Sequence, residues 1–369
     1  MRETTIMMKP ASSTCNCVCT YCFYDDVSAC RSVKSFGVME ASTSEKIIVE
    51  ALNNQQVDKV NFVFQGGEPL VAGFNYFKHF VDTVKKEQQG KQVSFAIQTN
   101  GTLLNKQFCE LFKANNFLVG ISIDGYKENH DRHRFLSRNG SFASVYAGYN
   151  LLKEYEIAHN VLTVLTKNLA ANPQALYSFY KEEGIKHVQI IECLPDFNQS
   201  VEESPFACTP ALYDSFYTQL FHLWLDDLRQ GIYMSINLFD DCIRLIHNTL
   251  PITCGRFGLC SPQTIVEADG SIYPCDFYVL DEFQQGNINT ESLEAIVNPQ
   301  DYEAFIKDRG AIQKPCADCK FYNKICHGGC KRMRETFIND SQCSYQKILN
   351  LFIEHRYEIS RQLKKLGLI

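Results

Sequence analysis

The chain has 369 residues, 45% apolar and 21% charged, enough to bury a large core and ordinary for a soluble globular protein. A net charge of −6 leaves no electrostatic footprint for a nucleic-acid backbone, and the one moderately basic run, Lys331 to Arg334, is short. With no apolar stretch of signal-peptide or membrane-spanning type, the composition predicts a cytoplasmic protein with neither nucleic acid nor membrane as partner.

From the N-terminus, apolar runs that read as buried parallel strands occur at Ile6–Met8, Val60–Phe64, Val93–Ile97, Leu118–Ile123, Val161–Leu165 and Val188–Ile191. Amphipathic helix-length segments lie between them: Ser44–Leu52, Phe74–Lys86, Lys106–Ala114, Phe142–Tyr155 and Pro173–Glu182. This alternation predicts a parallel sheet covered by helices, an open or closed barrel, with function at the carboxyl ends of the strands. The residues after the first four strands would then share one rim: Cys15 to Cys22, Gln65-Gly66-Gly67-Glu68, Gln98-Thr99-Asn100-Gly101 and Asp124-Gly125. A long helix over Leu212–Leu228 carries Trp224, whose aromatic stripe reads as core packing. After Pro251 the texture changes to frequent cysteine and glycine with only short strands, Thr264–Val266 and Ser271–Tyr273, as in a metal-stapled small domain. A helix over Tyr345–Leu366 closes the chain.

Seventeen cysteines call for metal rather than disulfides in a reducing compartment. Eleven fall into three groups: Cys15/Cys19/Cys22, Cys254/Cys260/Cys275 and Cys316/Cys319/Cys326/Cys330/Cys343; Cys17, Cys30, Cys109, Cys193, Cys208 and Cys242 are scattered and read as packing residues. Three thiolates in one loop can hold three irons of a 4Fe–4S cube and leave the fourth open to a substrate or cofactor, whereas an electron-transfer cube takes four cysteines. A zinc site with a distant fourth ligand is the alternative for the first group, and a pair of zinc ribbons for the C-terminal ones.

The run Cys15-x3-Cys19-Thr20-Tyr21-Cys22 resembles the signature of the radical S-adenosylmethionine superfamily, and Gly66-Gly67-Glu68 its Gly-Gly-Glu motif. Missing side chains at such a pair let backbone carbonyls approach a ligand closely. The C-terminal cysteines, with Gly270, are similar to the SPASM extension that binds two auxiliary 4Fe–4S clusters. The resemblance implies a partial (β/α)6 barrel over residues 1–235, a SPASM iron–sulfur domain over 236–345 and a terminal helix over 346–369. It also assigns Cys254, Cys260, Cys275 and Cys330 to one auxiliary cluster and Cys316, Cys319, Cys326 and Cys343 to the other. Six residues separate Cys319 from Cys326 where the family usually has five, a loop insertion that leaves the ligands intact.

Over the whole chain the likeness is to anaerobic sulfatase-maturating enzymes. The strings that carry it are Lys9-Pro10-Ala11-Ser12-Ser13, Cys22-Phe23-Tyr24, Val33-Lys34-Ser35-Phe36-Gly37, Phe64-Gln65-Gly66-Gly67-Glu68-Pro69, Gln98-Thr99-Asn100-Gly101 and Tyr273-Pro274-Cys275-Asp276-Phe277-Tyr278-Val279. The resemblance implies oxidation of a cysteine or serine in a sulfatase peptide, within a Cys-x-Pro-x-Arg motif, to Cα-formylglycine, with hydrogen abstraction by a 5′-deoxyadenosyl radical. It further implies three 4Fe–4S clusters and a flavodoxin or ferredoxin as electron donor. By the same likeness Asp276 is the base, Tyr24 and Gln65 approach the reacting side chain, and Tyr21, Gly66, Gly67, Glu68, Asn100, Ser122 and Arg134 hold S-adenosylmethionine. A carboxylate beside an anionic cluster suits proton uptake. Tyr126 and Leu70 depart from the residues many relatives carry, which keeps peptide crosslinking by a related SPASM enzyme as a second expectation and a non-catalytic iron–sulfur carrier as a third.

Overall fold

The computed structural model describes residues 2–88, 90–261, 263–297, 299–308 and 310–369. Two compact units form, each from separated stretches: residues 1–123, 131–159 and 262–308 make one, and 124–130, 160–261 and 309–369 the other. Among the described residues no helix is long and apolar enough to cross a membrane.

In the first unit, parallel strands Glu3–Met8, Lys59–Phe64, Gln92–Thr99 and Leu118–Ser122 lie side by side in that order, as their apolar runs predict. Helices Ala41–Asn53, Phe74–Glu87, Lys106–Ala114 and Phe142–Glu154 alternate with them in sequence. Their apolar stripes bury Ile47, Ile48, Phe77, Phe80, Phe108 and Phe112. The core is strongly aromatic: Phe64 packs edge-on against Phe77 and Phe80, and Phe95 stacks on Phe117 at 4.8 Å between centroids. Each such ring, fully buried, contributes roughly 1.5–3 kcal/mol relative to an exposed one.

The division of the chain differs from the sequential one expected. Strand Thr264–Val266 pairs in parallel with Glu3–Met8, Ile6 opposite Thr264 and Met8 opposite Val266, so residues 262–308 join the unit that carries the first cysteine group. Its three residues are all buried and all β-branched, which suits a strand packed on both faces. Strands Ser271–Tyr273 and Gly286–Asn287 follow as antiparallel neighbours. A further small sheet, Cys17–Cys19 against Arg134–Leu136 and then Asn139–Gly140, was not foreseen, because strands of two or three residues carry no readable period.

The second unit has parallel strands His159–Leu165, His187–Glu192 and Ser235–Ile236, with helices Pro173–Glu182, Pro210–Arg229 and Asn237–Ile246. Trp224 is fully buried, its indole N–H donating to the Met234 carbonyl at 2.9 Å, so the aromatic stripe is core, as expected. The expected terminal helix is two, Ser344–Glu354 and Arg356–Lys365. The break falls at His355, whose ring packs on Phe221 and whose Nδ1 lies 3.2 Å from Glu358.

Candidate active site

The first cysteine group lies on the segment that leaves strand Glu3–Met8. Two tight turns shape it, Ser12 N–H to the Lys9 carbonyl at 3.0 Å and Thr14 N–H to Ala11 at 2.9 Å, and Cys22 opens the helix Phe23–Ala29. The Gly-Gly-Glu turn leaves the neighbouring strand and docks on this segment: Gly67 N–H donates to the Ser12 carbonyl at 2.8 Å and Glu68 N–H to Thr14 at 2.9 Å. A Cβ on Gly66 would stand 2.8 Å from the Ser12 carbonyl oxygen, and one on Gly67 only 2.3 Å from that of Thr14. The space left by the missing side chains is taken by the cysteine-bearing backbone, so the glycines are required for the close docking of these two segments.

Glu68 is fully buried behind this cradle. Its carboxylate accepts from Leu70 N–H at 3.0 Å, the Thr99 hydroxyl at 2.7 Å and Asn100 N–H at 2.7 Å, which makes it a tie between two strand ends. Burial pushes its carboxyl up to about 7, against those three hydrogen bonds and the charge of Arg134. Asn100, so placed, directs its side-chain N–H to Asn16 at 2.9 Å and towards Cys15 Sγ at 3.7 Å. Arg134, opposite Cys19 in the small sheet, points a guanidinium N–H at Cys19 Sγ at 3.8 Å and stacks 5.6 Å from the Tyr21 ring. Ser122 ends its strand in a buried position. Three thiols in one loop with N–H donors aimed at two of them match the donor chemistry of an iron–sulfur cluster.

The residues expected near a substrate also converge. Gln65, hydrogen-bonded through its N–H to the Met8 carbonyl, donates its side-chain amide to Asp276 Oδ2 at 2.9 Å. Asp276 Oδ1 takes a salt bridge from Lys9 Nζ at 2.5 Å. The same ammonium sits 3.9 Å from the centroid of the Tyr24 ring, and the Tyr24 hydroxyl donates to Glu267, which is ion-paired with Arg31 at 2.7 Å. Burial pushes the Tyr24 phenol well up and so keeps it protonated. Burial alone would raise the Glu267 carboxyl too, but the charges of Arg31 and Lys9 outweigh it and hold it below the usual value. Two cations and two carboxylates thus close to neutrality.

Sequence reasoning missed Lys9, Arg31 and Glu267 as members of this group. Lys9 directly follows strand Glu3–Met8 and Glu267 directly follows Thr264–Val266, so the strand-end rule would have marked both had those strands been seen as neighbours.

In the second unit Cys316, Cys319, Cys326 and Cys343 line one pocket with Phe337 and Tyr345. Between Cys319 and Cys326 the chain turns at Asn323, which takes a left-handed φ of 56° and whose N–H donates to the Cys326 carbonyl. Cys254 and Cys260 hydrogen-bond to each other, and a Cβ on Gly255 would lie 3.5 Å from Cys330 Sγ, which places those three cysteines together. Beneath them Arg256 is buried between Glu192 at 3.0 Å and Asp241 at 3.6 Å. Cys275 follows Pro274 in the first unit, next to Asp276. Of the scattered cysteines, Cys17, Cys109, Cys193, Cys208 and Cys242 are buried and Cys30 is exposed.

A model of the radical SAM superfamily matches residues 10–171, and one of the SPASM iron–sulfur cluster-binding domain matches residues 259–320. The fold is thus the α/β fold of a radical SAM enzyme with a C-terminal SPASM domain. The chain is 38% identical, over 91% of its length and 90% of the relative's, to the cysteine-type anaerobic sulfatase-maturating enzyme of Clostridium novyi (strain NT). It is 36% identical, over 91% of both, to that of Clostridium perfringens (strain 13 / Type A). The solved structure of native anSMEcpe with bound AdoMet and Kp18Cys peptide superposes with a TM-score of 0.87 at 33% identity, covering 100% of each chain. The chain belongs to the anaerobic sulfatase-maturating enzymes, which sets aside the electron-carrier reading.

Proposed function

We propose that this enzyme oxidises a cysteine within a sulfatase-type peptide to Cα-formylglycine. Both relatives named above are cysteine-type enzymes, which favours cysteine over serine. The observation that carries the reading is the contact of Gln65 with Asp276, and of Asp276 with Lys9, whose ammonium stands over the Tyr24 ring, at the strand ends that also bear the cysteine loop.

Cys15, Cys19 and Cys22 would hold a 4Fe–4S cluster that, with S-adenosylmethionine, would supply a 5′-deoxyadenosyl radical, and the C-terminal cysteines would hold two auxiliary clusters able to take up the substrate's electron. The remaining work falls to side chains. Gly66, Gly67 and Asn100 shape the cofactor's side of the pocket, with Glu68 holding Asn100, and Tyr21, Ser122 and Arg134 complete it. Tyr24 and Gln65 orient the substrate Cβ. The substrate loses one hydrogen atom from Cβ, one proton from the thiol and one electron; Asp276 takes the proton. The resulting thioaldehyde exchanges sulfur for oxygen with water and releases hydrogen sulfide. Asp276 keeps lone pairs for that proton, because each carboxylate oxygen offers two and only one on each is engaged. Flavodoxin or ferredoxin supplies the first electron.

The test is anaerobic incubation of the reconstituted enzyme with reductant, S-adenosylmethionine and a Cys-x-Pro-x-Arg peptide. We expect 5′-deoxyadenosine and a peptide aldehyde in equal amounts by mass spectrometry. Cofactor cleavage with an untouched or crosslinked peptide would overturn the assignment.

A further inference from the structure

We propose that Lys9 is a positioning residue for the oxidation step, fixing Asp276 against Tyr24 and thereby setting where the substrate proton is received; this rests on the reading of Asp276 as the base. Lys9 has no exposed surface, and its backbone is locked, its N–H bonded to the Val266 carbonyl at 2.9 Å and its carbonyl taken by Ser12. A fully buried ammonium is costly unless paired, and its ion-pair partner here is Asp276, with the Tyr24 ring as a cation–π floor. Asp276 lies at the start of a three-residue 3-10 turn after Cys275, with no side-chain cap on that turn. Its carboxylate is held from the sheet side: Lys9 holds Oδ1 and Gln65 holds Oδ2, from adjacent strand ends. Arg31 and Glu267 complete the frame by anchoring the Tyr24 hydroxyl on the far side of the ring.

The geometry separates this role from cofactor cleavage. Among the described contacts, Asn100 and Arg134 point at the cysteine sulfurs, whereas the Lys9 ammonium points at Asp276 and Tyr24. Loss of Lys9 should therefore uncouple the two halves of the reaction: radicals are generated, and fewer end in aldehyde. A misplacement of about 1 Å at a reacting group costs on the order of 100-fold.

The readout is the ratio of aldehyde to 5′-deoxyadenosine, with peptide KM and iron content measured alongside, for wild type, Lys9→Met, Lys9→Arg, Asp276→Asn and Lys9→Met/Asp276→Asn. A merely structural defect lowers both products together and leaves the ratio unmoved. We expect Lys9→Met to lower the ratio roughly 10- to 100-fold. Lys9→Arg keeps the charge but not its placement and should fall between, and the double variant should match Asp276→Asn. A wild-type ratio in Lys9→Met, or losses that multiply in the double variant, would overturn the proposal. Should Lys9→Met fail to hold its clusters, Lys9→Arg decides alone, a wild-type ratio refuting it. Failure of the underlying reading looks different: wild type makes no aldehyde, or Asp276→Asn keeps the full ratio.

Discussion

Glu68 Oε2 accepts the backbone N–H of Asn100 at 2.7 Å, which ties the Gly-Gly-Glu turn to the next strand end. Three protein donors fix the Glu68 carboxylate, so the turn and the strand end that carries Asn100 are held as one unit.

Glu68→Gln replaces one accepting oxygen with a donor and leaves a buried N–H facing it. Hydrogen bonds to charged groups are worth about 1.5–3 kcal/mol, so affinity for S-adenosylmethionine should fall roughly 10- to 100-fold while iron content stays unchanged. Anaerobic equilibrium dialysis checks both. Unaltered affinity would separate Glu68 from the cofactor pocket.

The same carboxyl predicts a pH dependence of stability. Its value is raised from 4.5 to about 7, so the folded state holds the proton more tightly than the unfolded chain. The stability this contributes is full below about 4.5 and is lost as pH rises through about 7. Relative to Glu68→Gln, the wild type should therefore lose roughly 3 kcal/mol between pH 5 and pH 8, read by urea unfolding. A difference that does not change with pH would contradict the environment described.

Gly67→Ala should abolish the N-terminal cluster and spare the C-terminal ones, because the new Cβ would meet the Thr14 carbonyl oxygen at 2.3 Å and backbone must move. Gly73→Ala is the contrast: its φ of 87° is unfavourable for alanine where Gly67 has no such φ, but nothing lies within 4 Å, so it should cost about 1–3 kcal/mol of stability and no iron. Iron analysis with Mössbauer or paramagnetic resonance spectra distinguishes the two.

Arg256→Met leaves Glu192 and Asp241 buried without their cation. Asp241 also receives Ile252 N–H at 2.7 Å and Thr253 N–H at 3.3 Å, which shapes the approach to Cys254. The expected result is a loss of about 3–5 kcal/mol in unfolding free energy and of iron from the C-terminal set alone. Retention of all clusters at wild-type stability would refute this.

The architecture was largely legible because buried parallel strands are continuous apolar runs and their helices have clear stripes. Lys106–Ala114 and Pro173–Glu182 match the expected bounds, the first capped by the Asn105 side chain and the second opened by proline. What escaped notice depends on distant pairing. Nothing local in Thr264–Val266 says that its partner is Glu3–Met8, and without that pairing Lys9 and Glu267 are two unrelated charges. The glycine pair was found by motif, but the reason for it, a neighbouring backbone carbonyl, is a tertiary fact.

The parallel pairing of Ile6 with Thr264 also sets a schedule for synthesis. At roughly 5–20 residues per second, the cysteine loop leaves the ribosome some tens of seconds before Glu267 and Asp276 arrive to enclose Lys9 and Tyr24. During that interval three thiols and a lone lysine wait beside an incomplete wall. A chain cut short before residue 264 would carry the cysteine loop without Glu267 and Asp276, the partners of Tyr24 and Lys9.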